Sequence, residues 1–78
     1  MNTKITINLN DFNKIKKFNQ SVSTFESDID LVKGRYIIDA KSTIGIFTLD
    51  LSVPVDVSIH SENEEDIKRF NEVMEEFR

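Results

Sequence analysis

The apolar residues of this 78-residue chain follow two rhythms that exclude one another, and the order in which they alternate limits what the chain can fold into. Ile5, Ile7 and Leu9 alternate with Thr6 and Asn8 over residues 5 to 9, the period of a half-buried strand. Phe12, Ile15, Phe18, Val22 and Phe25 then recur at spacings of three and four, which predicts a helix over about residues 11 to 24. Asn10 or Asp11 would cap it, a short side-chain oxygen accepting from the first free N–H groups. Alternation returns at Asp28–Leu31, with Ile29 and Leu31 apolar. Lys33-Gly34 offers a turn, and Tyr36, Ile38 and Ala40 are expected on the inward face of a third strand closing a hairpin. Residues 42 to 48 suit a short helix with Ser42 at its cap. Val55, Val57 and Ile59 alternate after Pro54. The capping-box pattern Ser61-Glu62-Asn63-Glu64 precedes a last helical stripe of Ile67, Phe70, Met74 and Phe77, with Val73 beside it.

The resulting order is β-α-β-β-α-β-α in one domain spanning residues 1–78. The expected class is α+β: an open-faced β-sandwich with a four-stranded antiparallel sheet and three helices on one face. That arrangement gives six phenylalanines one interior to share. A generic ferredoxin-like split β-α-β fits the same periodicity, which cannot choose between the two.

Composition removes several functions. No cysteine is present, which excludes disulfides and thiolate chemistry and makes a zinc site hard to build. No apolar run approaches the roughly 20 residues that span a bilayer, and the N-terminus lacks the apolar core of a signal peptide. No membrane association is therefore expected. The cytoplasm is the expected compartment, with which the absence of cysteine is compatible. The formal charge of −4 lies wholly in the last segment. Residues 1 to 60 hold seven basic and seven acidic side chains, while Glu62, Glu64, Glu65, Asp66, Glu72, Glu75 and Glu76 face only Lys68, Arg69 and Arg78. An acidic chain lacks the lysine and arginine surface that displaces counterions from nucleic acid, so no nucleic-acid partner is expected. The one basic cluster, Lys14, Lys16 and Lys17, reads as a solvated helix face.

A longer pattern narrows the fold further. The stretch Ile37-Ile38-Asp39-Ala40-Lys41-Ser42-Thr43-Ile44-Gly45-Ile46-Phe47-Thr48-Leu49 resembles the third strand, Lys-Ser-x-x-Gly signature and short second helix of HPr. HPr is the histidine phosphocarrier of the bacterial phosphoenolpyruvate:sugar phosphotransferase system. Upstream, Ser23-Thr24-Phe25-Glu26-Ser27-Asp28-Ile29-Asp30-Leu31 resembles the end of that family's first helix and its second strand. The two patterns run together without gaps from about Asp11 into the last helix, some four-fifths of the chain.

Two departures bear on function. The family carries an active-site loop of the type Gly-x-His-Ala-Arg-Pro, with its histidine at the first helix's N-terminus, where the dipole and an arginine stabilise the phosphorylated imidazole. Here Asp11 takes the histidine's place, Asn13 the arginine's and Lys14 the proline's, and the connection from Leu9 to Phe12 is several residues shorter. The resemblance therefore implies a degenerate member without histidine phosphotransfer. Aspartate could form an acyl phosphate, but that chemistry needs a Mg²⁺ pocket, and no acidic cluster surrounds Asp11. His60, the sole histidine, falls at the end of the fourth strand and is read as a strand-end residue without an assigned role. No metal site and no cofactor are expected.

Ser42 has two compatible readings. It caps the short helix, and the resemblance implies a serine that an ATP-dependent kinase phosphorylates, as in the catabolite-repression HPr paralogues that lack the histidine. Phe12, Ile44 and Phe47 also have two. Either they form an exposed apolar patch of the kind the family uses to dock protein partners, or Phe12 closes the core of the first helix. No cluster pairs a nucleophile with a base, so no enzymatic activity is expected. The reading is a non-enzymatic regulatory or protein-binding module related to the phosphotransferase system, with a phosphotransferase-system or regulatory protein as partner. The alternatives are a serine-phosphorylated regulator and an unrelated ferredoxin-like ligand-binding domain.

Overall fold

The computed structural model describes residues 2–78. Its elements are β1 (Lys4–Ile7), α1 (Phe12–Val22), β2 (Asp28–Lys33), β3 (Tyr36–Asp39), α2 (Thr43–Ile46), β4 (Val55–His60) and α3 (Glu64–Met74), with a closing 3-10 turn at Glu75–Phe77. The strands lie in the order β1-β4-β2-β3, and all three pairings are antiparallel. A ferredoxin-like split β-α-β would set β1 and β3 side by side inside the sheet, whereas here they are its two opposite edges, so the ferredoxin-like alternative does not hold.

The alternating residues sort the two faces of the sheet. Ile5, Ile7, Ile29, Leu31, Val55, Val57 and Ile59 are buried beneath the helices, while Lys4, Thr6, Asp28, Asp30, Asp56, Ser58 and His60 occupy the open face. The helices contribute Phe18 and Val22 from α1, Ile46 from α2, and Phe70 and Met74 from α3, all fully buried. Two aromatic contacts lock the layer. Phe18 meets Phe77 edge to face at 5.6 Å, and Phe25 meets Phe70 in the same manner at 6.5 Å. The Arg69 guanidinium lies 3.9 Å over the Phe25 ring and donates to the Thr24 carbonyl at 3.1 Å. A cation from α3 thus serves the C-terminus of α1, whose own last turn has no basic residue.

Four local expectations change. Pairing of β1 stops at Ile7, because the Asn8 N–H turns away to the Phe77 carbonyl at 2.6 Å, although Leu9 remains buried. Tyr36 is exposed and not part of the inward face. It lies at the hairpin end of an edge strand, beyond the helices, and Ile38 is only half-buried. Phe12 lies outside the core and is 66% exposed. The cap of α3 is Asn63, whose side chain accepts from the Glu65 and Asp66 N–H groups, while the Ser61 hydroxyl accepts from Asn63 itself. No helix among the described residues is long and apolar enough to cross a membrane.

Candidate docking surface on the first and second helices

The start of α1 is set by Asp11. Its backbone is extended at φ −145°, and its carboxylate accepts the Lys14 N–H at 3.0 Å, satisfying a donor that the first helical turn leaves free. The Lys14 ammonium in turn donates to Asn10 at 3.3 Å. With the chain entering the helix this way, Phe12 takes the first helical position and its ring stays largely in water.

The second helix is held by three ties. The Asn19 side chain on α1 donates to the Ala40 and Lys41 carbonyls at 3.4 and 3.2 Å. The Lys41 ammonium donates to the Phe25 carbonyl at 2.7 Å. The half-buried Ser42 hydroxyl caps α2 by accepting the Gly45 N–H at 3.0 Å. Gly45 itself packs close. A Cβ there would lie 2.7 Å from Ile38 Cγ2 on β3, so the helix rests on the strand at a distance only glycine permits. One consequence is that Ile46 faces inward and is fully buried, while Ile44 and Phe47 face outward at 82% and 57% exposure.

The ties bring Phe47 beside Phe12. Their rings stack with centroids 6.3 Å apart and planes inclined by 20°, outside the core. A groove lined by Ile15, Lys16, Asn19 and Thr43 runs along one side of this pair, and a second hollow, lined by Leu9, Asp11 and Leu51 among others, lies on the other. The structure thus joins Phe12 and Phe47 directly, with Ile44 one turn earlier on α2. Ser42 stands at the root of the same helix. Asn13 is exposed next to the pair. Ile15, Lys16 and Leu51 belong to the surface too. Sequence periodicity had assigned Ile15 to the core stripe, and Leu51 lies in a loop where no period applies.

Other sequence candidates lie elsewhere. His60 is on the open face of the sheet, where its Nε2 is 2.7 Å from Asp30 Oδ2. Lys41, adjacent in sequence to Ser42, is committed to the Phe25 carbonyl. Glu64, Glu65 and Asp66 occupy the first turn of α3, as a dipole-favoured acidic cluster should. Lys17 pairs with Glu76 at 2.7 Å, tying α1 to the closing turn. Asp50, in the loop after α2, is held below the ordinary carboxylate range by the Ser52 hydroxyl and N–H, with Lys33 adding to the effect. Among the described residues, no group of three His, Asp or Glu side chains is placed to hold a metal ion.

No family model and no curated protein matches the sequence. Solved structures do match the fold. Against HPr-C-His from Thermoanaerobacter tengcongensis the TM-score is 0.73 at 29% identity, over 96% of this chain and 92% of that one. Against the phosphocarrier protein HPr from Bacillus anthracis str. Ames it is 0.72 at 17% identity, over 99% and 100%. This is the HPr fold along essentially the whole chain, as the Lys-Ser-x-x-Gly region implied.

Proposed function

We propose that this HPr-fold chain is a non-enzymatic docking module that binds a protein of the phosphotransferase system, or one of its regulators, and carries no phosphoryl group on histidine. One observation supports this above the others. The stacked Phe12–Phe47 pair, with Ile44, leaves large apolar side chains in water at the end of α1 where the family's phosphorylated histidine resides. A monomer does not ordinarily retain such a patch without a use. At the same place Asp11 spends its carboxylate on the Lys14 N–H, a donor that a phosphate would otherwise recruit. Asp11 is also the one carboxylate lining the hollow beside the rings, so an acyl phosphate would find no second carboxylate there to help hold a metal ion.

The test has two arms. Incubation with labelled phosphoenolpyruvate and the general phosphotransferase enzyme leaves the protein unlabelled, whereas acid-labile label on Asp11 or His60 refutes the first half. Titration of isotope-labelled protein with that enzyme or with an HPr-type kinase shifts the resonances of Phe12, Ile44 and Phe47, and Phe47→Ser removes the effect. Binding that leaves these residues unmoved refutes the second half.

A second reading, serine regulation, draws on the position of Ser42. Its oxygen sits at the cap of α2, where a phosphate would meet free N–H groups of the first turn beside the apolar patch. Lys41 would contribute less than its place in the sequence suggests, since its ammonium is already bonded to Phe25. An HPr-type kinase with ATP labels Ser42 and not Ser42→Ala if this reading holds.

A further inference from the structure

The free edge of the sheet at β3 has an unusual construction. In the order β1-β4-β2-β3 this strand has one neighbour, and its other side is unpaired. The Ala40 N–H donates to the Ile29 carbonyl at 2.8 Å, which places the even-numbered amides of this segment toward β2. Antiparallel pairing then leaves the N–H and C=O of Ile37 and the N–H of Asp39 on the outer edge. The Asp39 carbonyl is taken by the Ser42 N–H at 3.1 Å. Natural edge strands are commonly guarded by lysine or proline. The opposite edge, β1, carries Lys4. No lysine or proline interrupts β3, and Ile37 is 67% exposed on it.

The charges flanking this edge are unbalanced and complementary. Asp39 stands directly opposite Asp30, and Asp28, Asp39 and His60 line the same hollow with it. The only cation there is the imidazole of His60 when protonated, and it contacts Asp30. Arg35, in the tight turn that opens β3, makes no ion pair or hydrogen bond among the described residues. One end of the strand thus has an unused cation and the other an uncompensated carboxylate, on the same face.

We propose that β3 is a self-pairing edge, which joins β3 of a second copy antiparallel about a two-fold axis perpendicular to the sheet. Such an axis keeps the helices of both copies on one side and makes the contact isologous. With Ile37 opposite Ile37 of the second copy, the Ile37 N–H and C=O groups exchange two hydrogen bonds. Arg35 then faces Asp39 of the second copy, twice over, on the open face, and Tyr36 faces Ile38 on the helix side. The register centred on Ile38 would place Arg35 opposite Lys41 and is disfavoured by like charge. The pairing supplies Asp39 with the cation that its own chain lacks. A single strand edge is a small contact, so the dimer is weak and responsive to salt.

Sedimentation velocity and diffusion NMR on the intact chain, over rising concentration at low ionic strength, test this. Wild type dimerises, more weakly as salt is added. Arg35→Asp weakens dimerisation about tenfold or more, and the exchanged pair Arg35→Asp with Asp39→Arg restores it. Because Asp39 also accepts the Lys41 N–H, the exchange can unfold the loop, which circular dichroism reveals. Ile37→Pro then decides, since it removes the central edge donor and spares the amides bonded to β2. A wild type that stays monomeric at millimolar concentration, or a dimer indifferent to Arg35→Asp or Ile37→Pro, overturns the proposal. So does a folded exchange variant that fails to dimerise. Loss of the dimer in Phe47→Ser would assign it to the helix surface and overturn it too.

Discussion

Gly45→Ala should destabilise this protein even though alanine is the better helix former. The added methyl would lie 2.7 Å from Ile38 Cγ2, 3.1 Å from Ser42 Oγ and 3.4 Å from Ser42 Cβ. Ile38 is β-branched and has few rotamers with which to retreat, so the helix must lift off the strand, an overpacking cost of about 1–3 kcal/mol. Moving Ser42 also weakens the cap, by up to about 1 kcal/mol. Against this, replacing glycine inside a helix gains roughly 0.5–1 kcal/mol. Taken at mid-range the three terms sum to a loss of about 2 kcal/mol, and for a domain of this size a melting temperature lower by roughly 8–16 °C. Thermal and urea unfolding measure it. Trimming the obstructing methyl supplies the decisive control. Ile38→Ala alone should cost roughly 1–2.5 kcal/mol, being half-buried. Combined with Gly45→Ala it should cost at least about 1 kcal/mol less than the sum of the single changes. Additive effects, or a Gly45→Ala protein as stable as wild type, would show that the close approach of α2 to β3 does not govern stability. The stake extends beyond the core, because lifting α2 separates Phe47 from Phe12 and so dismantles the proposed docking surface.

Other expectations follow from single contacts. Asp11→Ala should cost about 1 kcal/mol through the lost α1 cap, read by urea unfolding, and Asp11→Asn much less, because asparagine caps equally well. Ser42→Ala should cost a similar ~1 kcal/mol at α2. Phe47→Ser should change stability by no more than about 1 kcal/mol while abolishing partner binding in the titration above, because its ring gives up mainly the exposed stack on Phe12. Asp50 should titrate below its unfolded value of 3.8 in NMR spectra, and Ser52→Ala should raise it. A carboxyl depressed in the fold contributes stability above the unfolded value and loses it as the pH falls through the folded one, so this small, solvent-exposed contribution disappears only in acid.

Both helical stripes and all four strands were legible because their periods differ, and the chain obeys them wherever a residue faces the shared interior. The readings that stayed open or failed cluster where an element outruns its partner. Phe12 keeps the spacing of the α1 stripe, but periodicity carries no information about where the sheet beneath it ends. Tyr36 likewise has the inward parity of β3 and no helix above it. Ser61 heads a capping box by pattern, yet Asn63 lies one residue before the helix and takes the role with two bonds. The candidate docking surface was half legible. Ile44 and Phe47 could be named from their spacing on the short helix expected over residues 42 to 48, whereas the meeting of Phe47 with Phe12 depends on Asn19, Lys41 and Gly45 fixing how α2 leans on its neighbours.

The partnership of β1 with β4 bears on how the chain acquires its structure during synthesis. The hairpin of β2 and β3 closes across two residues and can form as soon as it leaves the ribosome. Lys4, by contrast, waits for Ser58, and the Asn8 amide waits for the Phe77 carbonyl. Closing so long a loop brings its reward late. Until β4 has emerged the N-terminal strand is a bare apolar ribbon, and until the last turn has followed Phe18 lacks the ring that packs against it. A nascent chain stalled before β4 emerges should therefore be open to protease at residues 4–9, and the full-length released chain should not.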